Sequence, residues 1–248
     1  MGSRGSWMGP TSRTAGYSVD AIVRRLVDIA VSGLVLLIAL PVLLVVAAVI
    51  KLDSHGPVFF RCRRVGFRGA ELLMLKFRKM RDGAAGAAVT LNGDERFTRA
   101  GRILAKTKLD ELPQLWHVLR GEMTLVGPRP EDPGFVELRG ADYATILTVK
   151  PGVTGLCQLA FAKEGEVLRP EDRVRDYVER LLPQKAALDV LYVGRRSLLM
   201  DLRILAWTAV AVLARRDVAV HRSTGNLGLR RRSLEDAAAV AVGLGLRQ

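Results

Sequence analysis

Two adjacent carboxylates, Asp110 and Glu111, stand in the stretch KLDELPQLWHVLRGEMTLVGPRP of a chain whose formal charge is +13. Acids in the first turn of a helix accept backbone N–H groups and complement the helix dipole, which stabilises a helix by about 0.5–2 kcal/mol. Capping is therefore one interpretation of the pair. The other is phosphoryl chemistry, in which one carboxylate holds Mg²⁺ while its neighbour attacks phosphorus.

Basic residues surround the acidic pair in the sequence and favour the second interpretation. Arg129 follows it in GPRP, where two prolines stiffen the backbone, and Lys106 precedes it. The sequence KFR supplies Lys76 and Arg78 from a predicted strand, on which alternate residues share a face. A diphosphate under attack spreads charge over its non-bridging oxygens, which dense cations are suited to meet.

A short helix is predicted to carry the pair. Apolar residues recur there with the i, i+3, i+4, i+7 spacing of one helix face. Pro113 suits the first turn and Gly121 the C-terminal stop, so the acids stand at the helix N-terminus. The apolar face consists of Leu112, Leu115, Trp116 and Leu119.

A second element is the uncharged run of 22 residues from Ile29 to Ile50. At about 1.5 Å per residue it is long enough to cross a bilayer core of roughly 30 Å. One alternative is a spanning helix. The other is a re-entrant helix over 19–51 that bends at Pro41, where a backbone hydrogen bond is lost. Both flanks are basic, with Arg24 before the run and Lys51 after it. Basic flanking residues favour the cytoplasmic side of a membrane. Because both flanks are basic, both ends of the helix should lie on that side, so we favour re-entrance.

The rest of the chain predicts an α/β fold, mostly α, in one compact membrane-associated catalytic domain over 52–216. Short antiparallel strands are expected around 57–80, a strand after the turn at 149–155, and an amphipathic helix from Glu171 to Leu182. The apolar helix over 197–216 either lies on the membrane surface or packs in the core. Residues 1–18 read as a disordered lead and 217–248 as a C-terminal tail.

Composition excludes several classes of protein. Two cysteines in unrelated contexts do not form a disulfide scaffold, and three scattered histidines lack zinc-ligand spacing. The excess of Lys and Arg indicates an anionic partner such as nucleic acid, a phospholipid surface or a phosphorylated substrate. A nucleic-acid partner is disfavoured, because the sequence has no helix-turn-helix, RRM or zinc motif.

Several motifs in one order resemble those of the bacterial sugar transferases, the monotopic phosphoglycosyl transferases that initiate surface-glycan assembly. The resemblance extends from about Val19 to Leu213. It rests on the apolar segment with its proline, on SHGPVFFRCRRVGFRGAELLMLKFRKM and DELPQL, and on VGPRP, KPGVTGLCQ and SLLMDLRIL.

The resemblance implies transfer of a phosphosugar from a nucleotide diphosphate sugar, a UDP-sugar by expectation, to polyprenyl phosphate with Mg²⁺. In such enzymes the Asp is the nucleophile, so Asp110 would carry the phosphosugar and Glu111 would serve the metal. The family's apolar segment is a re-entrant helix broken at a proline, here Pro41. The implied location is the cytoplasmic face of the bacterial inner membrane, in contact with membrane lipids. Phosphate binding falls to Lys76, Arg78 and Arg129, with Lys106 as a substitute described below.

This chain departs from the family pattern at several positions. An arginine usual five residues before the nucleophile is Ala105, for which Lys106 and Lys108 are candidate substitutes. A usual asparagine is His117, which we interpret as structural. An Asn-Trp pair is replaced by Arg195 and Arg196, and GDMS by GEMT. Since both acids and Arg129 are kept, we expect activity.

Three other functions remain open at this point. The chain could be a membrane-tethered protein that binds anionic ligands or nucleic acid without catalysis, a scaffold that has lost activity, or a hydrolase that discharges the intermediate to water. The identity of the sugar and the oligomeric state, a homodimer included, are not determined by the sequence.

Overall fold

A computed structural model describes residues 19–86, 89–91, 93–169 and 171–230. The predicted lead over 1–18 and the last part of the predicted tail, 231–248, lie outside the described residues. Helices dominate the rest, and six short strands form three two-stranded sheets within the described ranges. The mostly helical α/β class predicted from the sequence is confirmed.

The elements follow one another along the chain without a repeat of any unit. The α-helices are α1 Val19–Asp53, α2 Arg99–Thr107, α3 Leu115–Arg120, α4 Pro133–Leu138, α5 Gly140–Ile146, α6 Leu156–Ala160, α7 Glu164–Val167, α8 Arg173–Asp176, α9 Leu182–Arg195 and α10 Leu198–Leu213. The 3₁₀ segments are Phe67–Gly69 and Leu109–Gln114, and a π-helical turn covers Tyr177–Leu181. The strands are β1 Phe59–Val65, β2 Glu71–Phe77, β3 Thr124–Val126, β4 Gly152–Thr154, β5 Val218–Val220 and β6 Leu227–Leu229.

The strand predictions are partly right. β1 and β2 form the expected antiparallel pair, with Phe59 opposite Phe77 and Val65 opposite Glu71. β3 and β4, in contrast, are parallel, a pairing that the sequence did not predict. Parallel strands need a crossover connection, and α4 and α5 supply it between them. β5 and β6 are an antiparallel hairpin inside the region predicted as a tail.

The stretch after Pro151 also differs from its prediction. The sequence indicated a turn and then a strand, but the strand ends at Thr154 and α6 begins at Leu156. Gly127 and Gly152 lie so close that a Cβ on Gly152 would stand 2.1 Å from the Gly127 nitrogen. Because only glycine permits this approach, β4 is held against the end of β3, and the next residues enter a helix.

The described residues contain one helix long and apolar enough to cross a membrane, α1. It continues through Pro41 as one helix, and its outward face is apolar, with Leu37 and Ile38 each 69% exposed. Below this face, Val27, Val35 and Leu36 pack against the main core. After the proline, Leu43, Val46 and Ala47 pack against a second cluster of Ile50, Phe77 and Leu104.

Polar contacts tie the first third of α1 to the domain. Arg25 donates to the carbonyls of Val118 and Leu119. Asp28 accepts from the Thr124 hydroxyl at 2.8 Å and from the Leu125 N–H at 2.9 Å. At the far end, Asp53 accepts from the N–H of Ala100 in α2. The two ends of the helix therefore contact the same folded domain.

The main core joins β2, α3, β3, α6, α9 and α10. This packing fixes the positions of the sheet edge and of the helix that carry the candidate site. α10 begins with Ser197, which accepts the Met200 N–H as an N-cap. Its inner face includes buried Ile204, while Leu199, Leu202 and Leu213 are exposed. Of the two alternatives for this helix, packing in the core therefore holds for one face. The buried core members are Leu72, Met74, Leu115, Val118, Met123, Leu125, Val126, Leu156, Leu159, Leu188, Tyr192, Ile204 and Val218.

Candidate active site

The backbone reverses at Lys108 just before the acidic pair. α2 begins at Thr98, whose hydroxyl accepts the Gly101 N–H, and ends at Lys108 in the left-handed region with φ 60° and ψ 13°. A side-chain-bearing residue there costs on the order of 1–3 kcal/mol and such residues cluster at functional sites. The reversal allows a new 3₁₀ helix to begin at once, with Asp110 and Glu111 in its first turn.

Asp110 is almost completely buried, at 1% exposure. The ammonium of Lys79 lies 3.1 Å from its Oδ2. Neither carboxylate oxygen accepts a hydrogen bond of good geometry from a described residue, so the Lys79 contact is an ion pair only. Burial of a carboxylate without hydrogen bonds is costly unless a charge or ligand compensates it. The Lys79 charge compensates part of this cost, and both carboxylate oxygens keep the capacity to accept further bonds.

Glu111 is held by two cations at a single oxygen. Lys76 Nζ lies 3.0 Å and an Arg129 terminal nitrogen 3.3 Å from Oε1. Burial raises the pKa of Glu111, but Lys76, Arg129 and Lys108 outweigh burial and hold that pKa well below its usual range. Burial also lowers the pKa of Lys76, an effect that Glu111 opposes. The Glu111 carboxylate is consequently ionised near neutral pH.

A second polar group, here called the rear cluster, lies close to Arg129 in the fold. The Tyr177 hydroxyl donates to Glu131 at 2.6 Å, and Lys185 donates to Tyr177 at 2.9 Å and to Glu164 at 2.8 Å. Burial raises the pKa of Asp189 to about 8, although Lys185 and Arg129 lower it. The rear cluster consists of Glu131, Glu164, Tyr177, Lys185 and Asp189.

The structure brings together part of the set predicted from the sequence. Lys76 and Arg129 meet at Glu111. Arg78 does not join them, because β2 ends at Phe77 and the guanidinium donates to the carbonyls of Ser54 and His55. Lys106 is exposed near the end of α2 and has no ion pair with a described residue. Its predicted role and that of Arg78 in binding phosphate stay predictions.

Lys79 was missed by sequence reasoning. It lies three residues after Lys76, a spacing that places two strand residues on opposite faces. Because the strand ends between them, both ammonium groups reach the acidic pair. The available signal was the basic run KFRKM, in which any of three cations could have been selected.

His117 has a structural role, as predicted. Its Nε2 accepts the Leu75 N–H at 3.1 Å, and its Nδ1 lies 2.5 Å from Glu122 Oε2. Both ring nitrogens are occupied by contacts that join β2 to the end of α3. The histidine thus holds the strand that carries Lys76 against the helix that follows the acids.

The residues fit a magnesium ion that is bound together with substrate. Within the described ranges no group of three or more His, Cys, Asp or Glu side chains could hold a metal. Mg²⁺, however, often takes only one or two carboxylates plus substrate phosphates. Both cations on Glu111 use the same oxygen, Oε1. Glu111 would hold the ion through its other carboxylate oxygen.

A cleft of about 660 Å³ lies at the junction of α1 and α2. Neither acid of the pair lines it, and neither do their cationic partners. The cleft is therefore distinct from the carboxylate site. Its lining is Leu52, Asp53, Ser54, His55, Gly56, Arg81, Asp82, Thr98 and Arg99.

Comparison with known proteins matches residues 19–215 to the family model described as bacterial sugar transferase. The UDP-glucose:undecaprenyl-phosphate glucose-1-phosphate transferase of Caulobacter vibrioides is 39% identical over 210 residues, which is 83% of this chain and 73% of that protein. The exopolysaccharide production protein PSS of Rhizobium leguminosarum bv. phaseoli is 39% identical over 206 residues, 79% of this chain and 98% of that protein.

A longer relative is the UDP-glucose:undecaprenyl-phosphate glucose-1-phosphate transferase of Klebsiella pneumoniae. It is 35% identical over 198 residues, which is 77% of this chain but only 40% of that protein. The similarity therefore falls on a segment that also occurs within larger chains.

Proposed function

Because this chain belongs to the bacterial sugar transferase family, we propose that it transfers a sugar-1-phosphate from a nucleotide diphosphate sugar to undecaprenyl phosphate. The donor is a UDP-sugar, the class named for the Caulobacter and Klebsiella relatives. The observation that carries the proposal is Asp110, a buried carboxylate without hydrogen bonds that lies among cations. Such a group suits attack on a phosphorus whose oxygens those cations neutralise.

The reaction proceeds in two displacements at one phosphorus. An oxygen of Asp110 attacks the phosphorus that bears the sugar, and the bond from this phosphorus to the bridging oxygen of the diphosphate breaks. The electron pair leaves with UMP, and the enzyme holds an aspartyl phosphosugar. A phosphate oxygen of undecaprenyl phosphate then attacks the same phosphorus, which releases the carboxylate and yields undecaprenyl diphosphate sugar. This route predicts ping-pong kinetics.

Several cations together neutralise the negative charge of the donor's diphosphate. Lys76 and Arg129 already contact Glu111 and lie where the diphosphate oxygens would approach the acidic pair. When bound, Mg²⁺ supplies a positive charge that stabilises the negative oxygens of the transferred group. Arg129 is always protonated and can contact two phosphate oxygens at once, which orients the donor. These roles are part of the proposal.

The test replaces the nucleophile and follows both UMP release and protein labelling. UDP-hexoses and UDP-N-acetylhexosamines are screened for UMP release with and without undecaprenyl phosphate, and the best donor is used radiolabelled. We expect Asp110→Asn to lower transfer by about 10³-fold or more and to remove the covalent label. Asp142→Asn, at a half-buried pair with Arg139, serves as the control and should keep both activities.

Three outcomes would contradict the proposal. Full turnover by Asp110→Asn would exclude the covalent route. A sugar phosphate found on another residue by intact mass and peptide mapping would exclude Asp110 as the nucleophile. UMP release that is equally fast without the lipid would indicate a hydrolase.

We further propose that α1 is re-entrant and that the domain faces the cytoplasm. Support comes from the two ends of α1, which contact one domain through Asp28 and Asp53, whereas residues 37–42 belong to none of the buried clusters. Tags fused at residue 15 and residue 240 should both be accessible only from the cytoplasmic side. Labelling from opposite sides would establish a spanning helix instead.

A further inference from the structure

We propose that Lys79 is a further catalytic residue: it holds Oδ2 of Asp110, leaves Oδ1 as the attacking oxygen, and stabilises the carboxylate as it departs in the second displacement. This inference rests on the proposed function. The two lysines of KFRKM would then have separate duties, Lys76 on Glu111 and Lys79 on the nucleophile.

The contacts assign one ammonium to each acid. Lys76 Nζ lies 3.0 Å from Glu111 and Lys79 Nζ lies 3.1 Å from Asp110. Within the described residues Lys79 is the one cation in contact with the nucleophile, whereas Glu111 has two. Among these residues, the Asp110 carboxylate therefore has a single cation in direct contact.

The backbone fixes the position of Lys79. Its carbonyl accepts the Thr98 N–H at 3.1 Å, and the next residue, Met80, bridges to Phe97. The Phe97 ring lies 5.8 Å from the Lys79 ammonium. A Cβ on Gly101 would stand 1.8 Å from the Lys79 carbonyl oxygen, so glycine is what allows α2 to pack against this residue. The first turn of α2 packs on Lys79 and the helix then leads to the acidic pair, so that the Lys79 ammonium lies beside Asp110.

The two displacements make opposite demands on Asp110. In the first, Oδ1 bonds to phosphorus, the carboxylate loses its negative charge as the acyl part of an acyl phosphate, and Oδ2 becomes its carbonyl oxygen. In the second, the bond between phosphorus and Oδ1 breaks and the negative charge returns to the carboxylate. An ammonium beside Oδ2 favours that return, because it stabilises the leaving group. It also makes the free carboxylate a weaker nucleophile.

Loss of Lys79 should consequently slow the two displacements unequally. We expect Lys79→Met to retain the burst of UMP release within about threefold and to lower the lipid-dependent steady-state rate by about 10–100-fold. The labelled aspartyl intermediate should accumulate to a higher fraction of enzyme than in the unmodified protein. A merely structural role would lower burst and steady state together, without accumulation.

The experiment combines rapid quench with intact-mass measurement on the full chain in detergent, with the donor selected by the UMP screen. Lys79→Arg, which keeps the charge, should recover most of the steady-state rate. Arg175→Met removes an exposed cation on α8 that pairs with Glu179, and this variant should behave like the unmodified protein. If Lys79→Met does not fold, as judged by its thermal unfolding midpoint, Lys79→Gln replaces it.

Unchanged kinetics in Lys79→Met would overturn the inference, and so would an equal loss of the burst and of the steady-state rate. In either case, labelling of the unmodified protein would still support the covalent route. Absence of label in the unmodified protein would instead overturn the proposed function. The two failures are thus distinguishable.

Discussion

The acidic pair and the rear cluster are both buried groups of charges, but they are satisfied differently. In the rear cluster Lys185 contacts Tyr177 and Glu164, and Tyr177 contacts Glu131, so these four side chains are matched within the chain. Asp189 is the exception, because its buried Oδ1 accepts no hydrogen bond from a described residue. At the acidic pair Asp110 is as buried as a core residue, yet its oxygens accept no hydrogen bond from described residues. The ion pairs and hydrogen bonds within the rear cluster stabilise the fold, whereas the carboxylate of Asp110 has oxygens that a ligand could bind.

Arg129 connects the two regions. Its guanidinium contacts Glu111, and Glu111 first and then the acids of the rear cluster raise its pKa above the usual value, against the effect of burial. The acids of the rear cluster therefore favour the charged form of Arg129. This comparison predicts that substitutions at the acidic pair affect rate more than stability, and that substitutions in the rear cluster do the reverse.

The largest effect is expected for Glu111→Gln. The substitution removes the charge that would hold Mg²⁺ and that pairs with Lys76 and Arg129. We expect the rate to fall by about 10²–10³-fold. Because Gln keeps the size of the side chain and Lys76 and Arg129 are partly exposed, the thermal unfolding midpoint should fall less than that of the Lys185 variant described next. Steady-state UMP release across a magnesium titration measures the rate. Glu179→Gln, at an exposed surface pair, is the control and should keep the normal rate. If Glu111→Gln itself turned over within twofold of the normal rate, the predicted difference between the acidic pair and the rear cluster would be wrong.

An intermediate effect on stability is expected for Lys185→Met. Lys185 is 5% exposed at its side chain and its removal leaves Glu131 and Glu164 without their buried cation. Loss of one partner of a buried ion pair costs about 3–5 kcal/mol. Denaturant unfolding in detergent should show this loss, while activity per folded molecule falls much less. The exposed Lys163→Met should cost under about 1 kcal/mol; an equal cost would show that burial is irrelevant here.

The effect expected for Asp189→Asn depends on pH. Burial raises the pKa of Asp189 to about 8 against lowering by Lys185 and Arg129, and Glu131 adds to the rise. Between pH 4 and 8 the folded state keeps a proton that the unfolded state releases, so this residue reduces stability as pH rises. The free energy of unfolding of the variant should therefore rise relative to that of the unmodified protein by up to about 1.4 kcal/mol per pH unit within this window, and no further above it.

Unfolding free energies at pH 5, 7 and 9 measure that gain. A constant difference at the three pH values would mean that the Asp189 proton does not distinguish folded from unfolded chain. Asp189 would then be ionised in the folded chain, and the rear cluster and the acidic pair would differ less in how their charges are compensated.

Periodicity in the sequence predicted the elements that depend on local pattern. The face of Leu112, Leu115 and Leu119 placed the acids at a helix start, and alternation gave the β1–β2 pair. The same reasoning misplaced Arg78 and missed Lys79, because their directions depend on the residue at which β2 ends. Strand ends are set by tertiary packing, which a local pattern does not contain.

The remaining misses are long-range. Glu131 and Tyr177 are 46 residues apart in sequence and meet only because the helices between them fold back. Parallel pairing of β3 with β4 depends on a glycine approach between Gly127 and Gly152 that neither glycine predicts alone. No spacing rule applies to such contacts.

The polar attachments of α1 have a consequence for how the protein is made. Asp28 finds its partner Thr124 96 residues later in the chain. At a synthesis rate of about 5–20 residues per second, the helix waits roughly 5–20 s at the ribosome before that partner exists. During this interval lipid or a chaperone must shelter its apolar face. Membrane insertion and completion of the domain are thus steps of a single assembly process, ordered by translation.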